Sequence, residues 1–294
     1  MRKSYIEKAI PYLPLKIRSA FETMSIADKE NITEIRLRVN RAVGVVQYGM
    51  EKYLGTNGGI TTYPNIAVKV TLQDIEAVLK SVTEYSIHSF GKELQQGYIT
   101  LEGGNRVGIA GTYQNETLKY VNAFNFRIAG EVRGASDDIF SQIKNFPKSI
   151  LIAGKPSTGK TTILRDLCKK AGDIHRVSLI DERHEIAACY NGIPQNDIGM
   201  HTDVFEVGKA KGINLALRVM SPEIIVCDEI GLEDDITEIA RSVNSGVKLI
   251  ASIHAGSRDD VLANTEIKPI FNVFDYLVIL REAGKIEEVI RLKQ

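Results

Sequence analysis

Neither sign of charge is in excess: lysine plus arginine number 37, and so do aspartate plus glutamate. A chain without a net field is not drawn as a whole to nucleic acid or to an anionic membrane surface, so either partner would need a local patch. Stretches that interleave basic and aromatic residues, which single-stranded nucleic acids require, are also lacking. Cysteine is scarce. Cys168, Cys189 and Cys227 are odd in number, widely spaced and without CxxC spacing, which argues against a disulfide or metal framework and fits a reducing compartment where they fill apolar space. Long apolar runs are missing as well. No segment approaches the roughly 18 to 20 apolar residues of a membrane-spanning helix. The opening MRKSYIEKAIPYLPLKIRSAF breaks its apolar residues with charges and two prolines, unlike a secretion signal. The expectation is a cytoplasmic protein that meets a membrane only through a partner.

Apolar residues at 44% and charged residues at 25% are ordinary for a folded soluble chain. A length of 294 residues lies where single cores stop growing, so two domains are expected. Residues 4–24 read as a helix or helix pair broken at Pro11 and Pro14, with Ile6, Ile10, Leu13 and Ile17 as its stripe. ITEIRLRVN alternates Ile35, Leu37 and Val39 with Glu34, Arg36 and Arg38, as a strand with one wet face does, and AVGVVQYG offers a second strand. Thr71 and Asp74 form a capping box for a helix burying Leu72, Ile75, Val78, Leu79 and Val82. GYITL and RVGIAGTY, separated by Glu102, Gly103, Gly104 and Asn105, read as a hairpin.

This smaller α+β N-terminal domain is expected over 1–140. The pattern loosens between Ile128 and Lys148, and a second domain is expected over 141–294. There SILIAG, RVSLID, EIIVCDE, VKLIASIH and YLVIL alternate with helices from Lys160 to Lys170 and from Asp234 to Val243. That alternation implies an α/β domain on a mostly parallel sheet buried on both faces.

GKPSTGKT matches GxxxxGK[ST] directly after an apolar strand and before a helix, the context that separates a phosphate loop from a chance glycine-rich turn. Gly154, Lys155, Pro156, Ser157, Thr158 and Gly159 would turn backbone amides onto phosphate oxygens, and the helix start would add its positive end. Lys160 would reach the β- and γ-phosphates, Thr161 would ligate magnesium, and Thr162 would complete the loop. ATP and Mg2+ are the cofactors this implies. In EIIVCDE, Asp228 would enter the magnesium shell and Glu229 would orient and deprotonate the attacking water, although two acids at a strand mouth can also be ordinary surface.

VKLIASIH ends on His254. A RecA-like (ASCE) P-loop domain inserts such a strand between the loop strand and the Walker B strand, which would make His254 a γ-phosphate sensor. A lone histidine is otherwise usually structural. RVSLIDERHE brings Asp181, Glu182 and Glu185 to a third strand end, where they would complete the magnesium and water site or form a solvated loop. Arg127, Arg133 and Arg218 are candidates for contacts to the γ-phosphate or to a neighbouring subunit.

With a phosphate loop, an acidic box, a Walker B segment and a strand closing on histidine in that order, the chain resembles the secretion-ATPase superfamily of type II and type IV secretion and pilus assembly. LALRVMSPEIIVCDEIG carries the arginine, proline and Walker B part of the likeness. Within that superfamily LIAGKPSTGKTTILRDL, SLIDERHEIAA, SPEIIVCDEIG, EIRLRVNRA and QGYITLEGGNRVGIAG resemble the stage III sporulation AA family over most of the chain. The resemblance implies an ATPase on the mother-cell side of a channel joining mother cell and forespore. It also implies a ring, a hexamer, received by a membrane-anchored partner of the same operon. Type II motors commonly carry glycine before the Walker B glutamate, where this chain has Asp228. That departure makes the site resemble an ordinary ATPase and leaves the division of labour between Glu229 and the acidic box open. A nucleic-acid motor and a nucleotide-gated scaffold that seldom hydrolyses are the alternatives.

Overall fold

Proline at positions 11 and 14 cannot continue an α-helix, and the chain turns there as its chemistry requires. In the computed structural model, which describes residues 3–115, 117–130, 132–230, 238–239, 246–263, 268–282 and 284–292, α1 (Lys3–Ala9) passes through a 3₁₀ turn at Ile10–Tyr12 into α2 (Leu15–Thr23). Ile6, Ile10, Leu13 and Ile17 are all buried. The chain divides into two compact units, Met1–Glu131 with Cys189–Gln195, and Val132–Ala188 with Asn196–Gln294.

In the first unit, α3 (Ile26–Glu30) leads into an antiparallel sheet. Its strands are β1 (Ile32–Arg38), β2 (Gly44–Gln47), β3 (Met50–Leu54), β4 (Ile60–Thr61), β5 (Tyr98–Thr100), β6 (Arg106–Gln114) and β7 (Thr117–Arg127), in the order β4-β3-β2-β1-β7-β6-β5. Ile35 and Leu37 of β1 are buried while Glu34, Arg36 and Arg38 are half-exposed, so the period-two pattern does face one side to the core. β5 and β6 form the expected hairpin. β3 and β7, which the sequence reading did not single out, complete the sheet on either side of β2 and β1.

Between β4 and β5 lie α4 (Leu72–Val82) and α5 (Gly91–Gln96). The Thr71 hydroxyl accepts the Asp74 amide at 3.2 Å and the Asp74 carboxylate accepts the Thr71 amide at 2.6 Å, so the capping box is complete. Ile75, Val78 and Val82 form the buried stripe. Leu72 departs from the reading: it is 56% exposed. At 100° per residue it sits roughly 90° from the centre of that stripe, at its edge. The segment Cys189–Gln195 joins this unit through the Gln195 side-chain oxygen, which accepts the Gly103 amide at 2.7 Å, and through the Tyr190 hydroxyl, which donates to Glu84.

The second unit starts with α6 (Asp137–Gln142) and is built on β8 (Ile150–Gly154), β9 (Val177–Ile180), β10 (Thr202–Phe205), β11 (Ile224–Cys227), β12 (Lys248–His254), β13 (Tyr276–Glu282) and β14 (Lys285–Arg291). Their order is β10-β9-β11-β12-β8-β13-β14, parallel except for the last strand. β12 lies between the strand leading to the GKPSTGKT loop and the strand leading to Asp228, as the added-strand reading expects. Every residue of β8, β9 and β11 is buried, which is why these strands read as continuous apolar runs. α7 (Lys160–Gly172), α8 (Lys209–Val219) and α9 (Arg258–Ala263) are its other helices among the described residues. The helix expected over Asp234–Val243 lies outside the described residues except for Glu238 and Ile239, which are helical.

The turn carrying Arg133 is tied to α7 by one buried carboxylate. Asp166 accepts the amides of Gly134 at 3.1 Å and Ser136 at 2.9 Å and the Ser136 hydroxyl at 2.6 Å, with Lys170 3.1 Å away. Burial would raise the Asp166 pKa, but the Ser136 and Lys170 contacts outweigh it and hold it below 3.8. A depressed aspartate stabilises the fold fully above its unfolded pKa and loses that contribution as pH falls through the folded value. Asp166→Asn is therefore expected to cost about 1 to 3 kcal/mol at neutral pH, a deficit that narrows on acidification below pH 3.8. Urea denaturation of both proteins as a function of pH checks this; an equal stability at neutral pH would contradict it.

Candidate functional site

β8 is apolar through Gly154 and α7 begins at Lys160, so five residues must reverse the chain between a buried strand and a helix. Ser157 at φ 63° and Gly159 at φ 92° adopt left-handed backbone, the kind of turn from which an amide-lined concavity suited to an anion can be built. The Thr158 hydroxyl donates to the Lys155 carbonyl at 2.8 Å and braces the turn. A Cβ on Gly154 would lie 2.4 Å from the Thr158 hydroxyl oxygen, so this position has no room for a side chain. Lys155, Pro156 and Ser157 are exposed, whereas Gly159, Lys160, Thr161 and Thr162 are half-buried. Lys160 curls back: its Nζ donates to the carbonyls of Gly154 at 2.7 Å and Lys155 at 3.0 Å. Burial lowers its pKa and the nearby Glu229 carboxylate opposes that shift.

The parallel register sets His254 of β12 beside Gly154 of β8, and Cys227 of β11 level with Ala251 of β12. Asp228 and Glu229 therefore emerge at the same carboxyl edge of the sheet as the loop. Glu229 is held on both oxygens, by His254 Nδ1 at 2.8 Å and by Arg183 at 2.9 Å. Burial would raise its pKa, yet the His254 hydrogen bond and the Arg183 charge bring it below the usual glutamate value. The His254 side chain is 46% exposed, which sets it apart from a histidine satisfied inside a core.

Asp228 differs from its neighbour. It is buried, and burial pushes its carboxyl up to about 6 against the opposing charge of Lys209. Lys209 Nζ lies 3.2 Å from one oxygen as an ionic contact, but neither oxygen accepts a hydrogen bond. An open buried carboxylate on the loop's edge of the sheet suits a hard cation. Among the described residues no group of three acidic, histidine or cysteine side chains is placed to hold a metal ion.

The acidic box splits into two roles. Asp181, fully buried at the end of β9, accepts the amides of Glu185, Ile186 and Ala187 at 2.8 to 3.2 Å, so its carboxylate is occupied in holding the following loop. The expectation that it completes the magnesium and water site is corrected accordingly. Glu182 instead pairs with Lys209 at 2.7 Å. Glu185 contributes its backbone carbonyl to Arg165 at 2.6 Å.

The arginines are scattered. Exposed Arg133 lies in the turn fixed to α7 by Asp166. Arg218 is exposed in the last turn of α8, roughly 13 Å along the helix axis from Lys209, so the chain's own fold does not bring it to the loop. Arg127 ends β7 in the first unit. Arg183 and Lys209 carry the geometry instead. Neither was selected from the sequence, where each reads as an ordinary surface charge.

The model of the family described as "Sporulation stage III, protein AA" matches residues 3–293. The chain belongs to this family. It is 33% identical over 288 residues to "Stage III sporulation protein AA" of Bacillus subtilis, covering 92% of this chain and 90% of that one. The structure is similar to the ATPase DotB of Legionella pneumophila, with a TM-score of 0.62 at 14% identity over 91% of this chain and 76% of DotB. It is equally similar to the ADP-bound pilus retraction motor PilT, with a TM-score of 0.62 at 14% identity over 95% and 82% of the two chains. The chain thus shares an α/β fold with DotB and PilT. None of its described helices is long and apolar enough to cross a membrane.

Asp181→Ala tests the division within the acidic box. It would strand three amides, two of them buried, at about 1 to 3 kcal/mol each, and is expected to lower the melting temperature by well over 5 °C. Glu182→Ala, which leaves Lys209 its contact with Asp228, is expected to lower it less. Equal melting of Asp181→Ala and the parent protein would contradict the loop-holding role.

Proposed function

We propose that this chain is a P-loop ATPase that hydrolyses ATP to ADP and phosphate, with the second unit (Val132–Ala188 and Asn196–Gln294) as a RecA-like catalytic domain in place of the expected 141–294, and the first unit (Met1–Glu131 and Cys189–Gln195) as an accessory α+β domain in place of the expected 1–140. The observation that carries the reading is the convergence of Lys160 with a Glu229 carboxylate fixed by His254 and Arg183. The amides of residues 154–161 bind the phosphates and the Lys160 ammonium exchanges its two loop carbonyls for phosphate oxygens. Thr161 and Asp228 would hold magnesium, which when bound neutralises phosphate charge. Glu229 orients a water whose oxygen attacks the γ-phosphorus as the bond to the β-phosphate oxygen breaks. The water's proton leaves to Glu229 or to the released phosphate. Because Glu229 is held below the usual glutamate range, orientation is the larger part of its role in the geometry described. His254 reports the presence of the γ-phosphate through its bond to Glu229.

The family and the secretion-ATPase fold support a working form that is a ring of copies, a hexamer. Arg127, Arg133 and Arg218 are the candidates in such a ring for contacts to a neighbouring subunit's nucleotide. The ring would sit in the mother-cell cytoplasm, peripheral to the membrane through a membrane-anchored channel protein of the same operon, and would power or assemble a mother cell-forespore channel. Neutral net charge speaks against direct nucleic-acid binding.

Steady-state phosphate release from the purified protein, dilute and concentrated, tests the activity. Glu229→Gln is expected to retain nucleotide binding and lower turnover by about 10² or more, and Lys160→Ala to abolish both. Turnover of the parent protein no greater than that of Lys160→Ala would end the reading. Unchanged turnover in Glu229→Gln would move the water-orienting role to Glu182.

A further inference from the structure

Lys209 occupies a position that elementary electrostatics disfavours. It is the first residue of α8, where the helix's positive end repels a cation, and it is only 7% exposed, where an ammonium loses its hydration. Such a placement persists only if something nearby offsets both costs. Two carboxylates do: Lys209 Nζ lies 2.7 Å from Glu182 Oε2 and 3.2 Å from Asp228 Oδ1. The helix start is held at this height by close packing. A Cβ on Gly212, one turn along, would come within 2.5 Å of Ile180, the last residue of β9 and the second before Glu182.

The two carboxylates are not equivalent. Glu182 is 44% exposed and could be hydrated without help, whereas Asp228 is 6% exposed and accepts no hydrogen bond. The ammonium is therefore the group that makes a charged Asp228 tolerable at this point in the fold. The ammonium meets Oδ1 alone, at 3.2 Å, which leaves lone pairs, above all those of Oδ2, for a further cation.

We propose that Lys209 is a positioning residue, a resident cation that fixes the buried Asp228 carboxylate in place for magnesium and ties it to Glu182 of the acidic box. The inference rests on the reading of Asp228 as a magnesium-shell residue. It assigns to α8 a part in nucleotide binding that acts only through the metal, because Lys209 reaches Asp228 and Glu182 rather than the phosphate loop.

The test is a titration of the full chain with a fluorescent ADP analogue, with magnesium and with EDTA, for the parent protein, Lys209→Met and Lys209→Arg. In the parent protein magnesium is expected to tighten binding. Lys209→Met is expected to lose about tenfold or more of that tightening while its affinity in EDTA stays within about twofold, and Lys209→Arg is expected to keep most of it. If Lys209→Met does not fold, Lys209→Gln is read in the same way. Retention of the full magnesium effect without the ammonium overturns the proposal, as does an equal loss of affinity with and without magnesium that arginine does not rescue. A parent protein that binds the nucleotide with no magnesium effect overturns the magnesium-shell reading of Asp228, and this inference with it.

Discussion

A carboxylate removed from water costs several kcal/mol unless positive charge or hydrogen bonds replace its hydration, and the second unit concentrates two such groups at the end of one apolar strand. β11 supplies four buried residues and then delivers Asp228 and Glu229 in succession, so the acids cannot retreat to solvent without unravelling the sheet. Each of them is met by cations. Lys209 stands against Asp228, Arg183 and His254 against Glu229, and the Lys160 ammonium acts on Glu229 from the loop. The parallel sheet makes this convergence possible because strands that run the same way end on the same edge. Helices α7 and α8 then begin on that edge and bring lysines to it.

The loop's own groups also satisfy one another. Lys160 satisfies its ammonium on the carbonyls of Gly154 and Lys155, and Thr158 braces the same turn. Glu229 is likewise satisfied on both oxygens. A ligand carrying several negative charges would compete for Lys160 and for Arg183 at once, and it would alter the balance that now holds Glu229 fully ionised.

The parts of this picture that were legible in the sequence are those where backbone geometry restricts residue choice. Gly154 has no room for a side chain and Gly159 is left-handed, so the loop leaves a glycine signature. Strands buried on both faces can hold little but apolar residues, so VKLIASIH announced a strand and His254 at its end. What the sequence hid is pairing. Lys209 and Arg183 have the composition of surface charges, and only the packing of α8 and of the loop after β9 carries them to the acids. Asp181 misled for the converse reason: an acid at a strand end is equally suited to catch backbone amides, and its three partners are all local. Leu72 misled because a stripe edge and a stripe centre look alike in a periodic pattern. Arg218 was placed by a motif, while its place in the last turn of α8 is set by where that helix ends.

The central claim is that the turn from Gly154 to Thr161 grips a triphosphate whose far end faces Glu229. A crystal structure of the chain with magnesium and a non-hydrolysable ATP analogue tests it most directly. The account predicts Lys160 Nζ moved from the Gly154 and Lys155 carbonyls onto the β- and γ-phosphates, with Asp228 on the metal's side and Glu229 facing the γ-phosphate. An analogue bound elsewhere, with Lys160 still closed on its own loop, would contradict it.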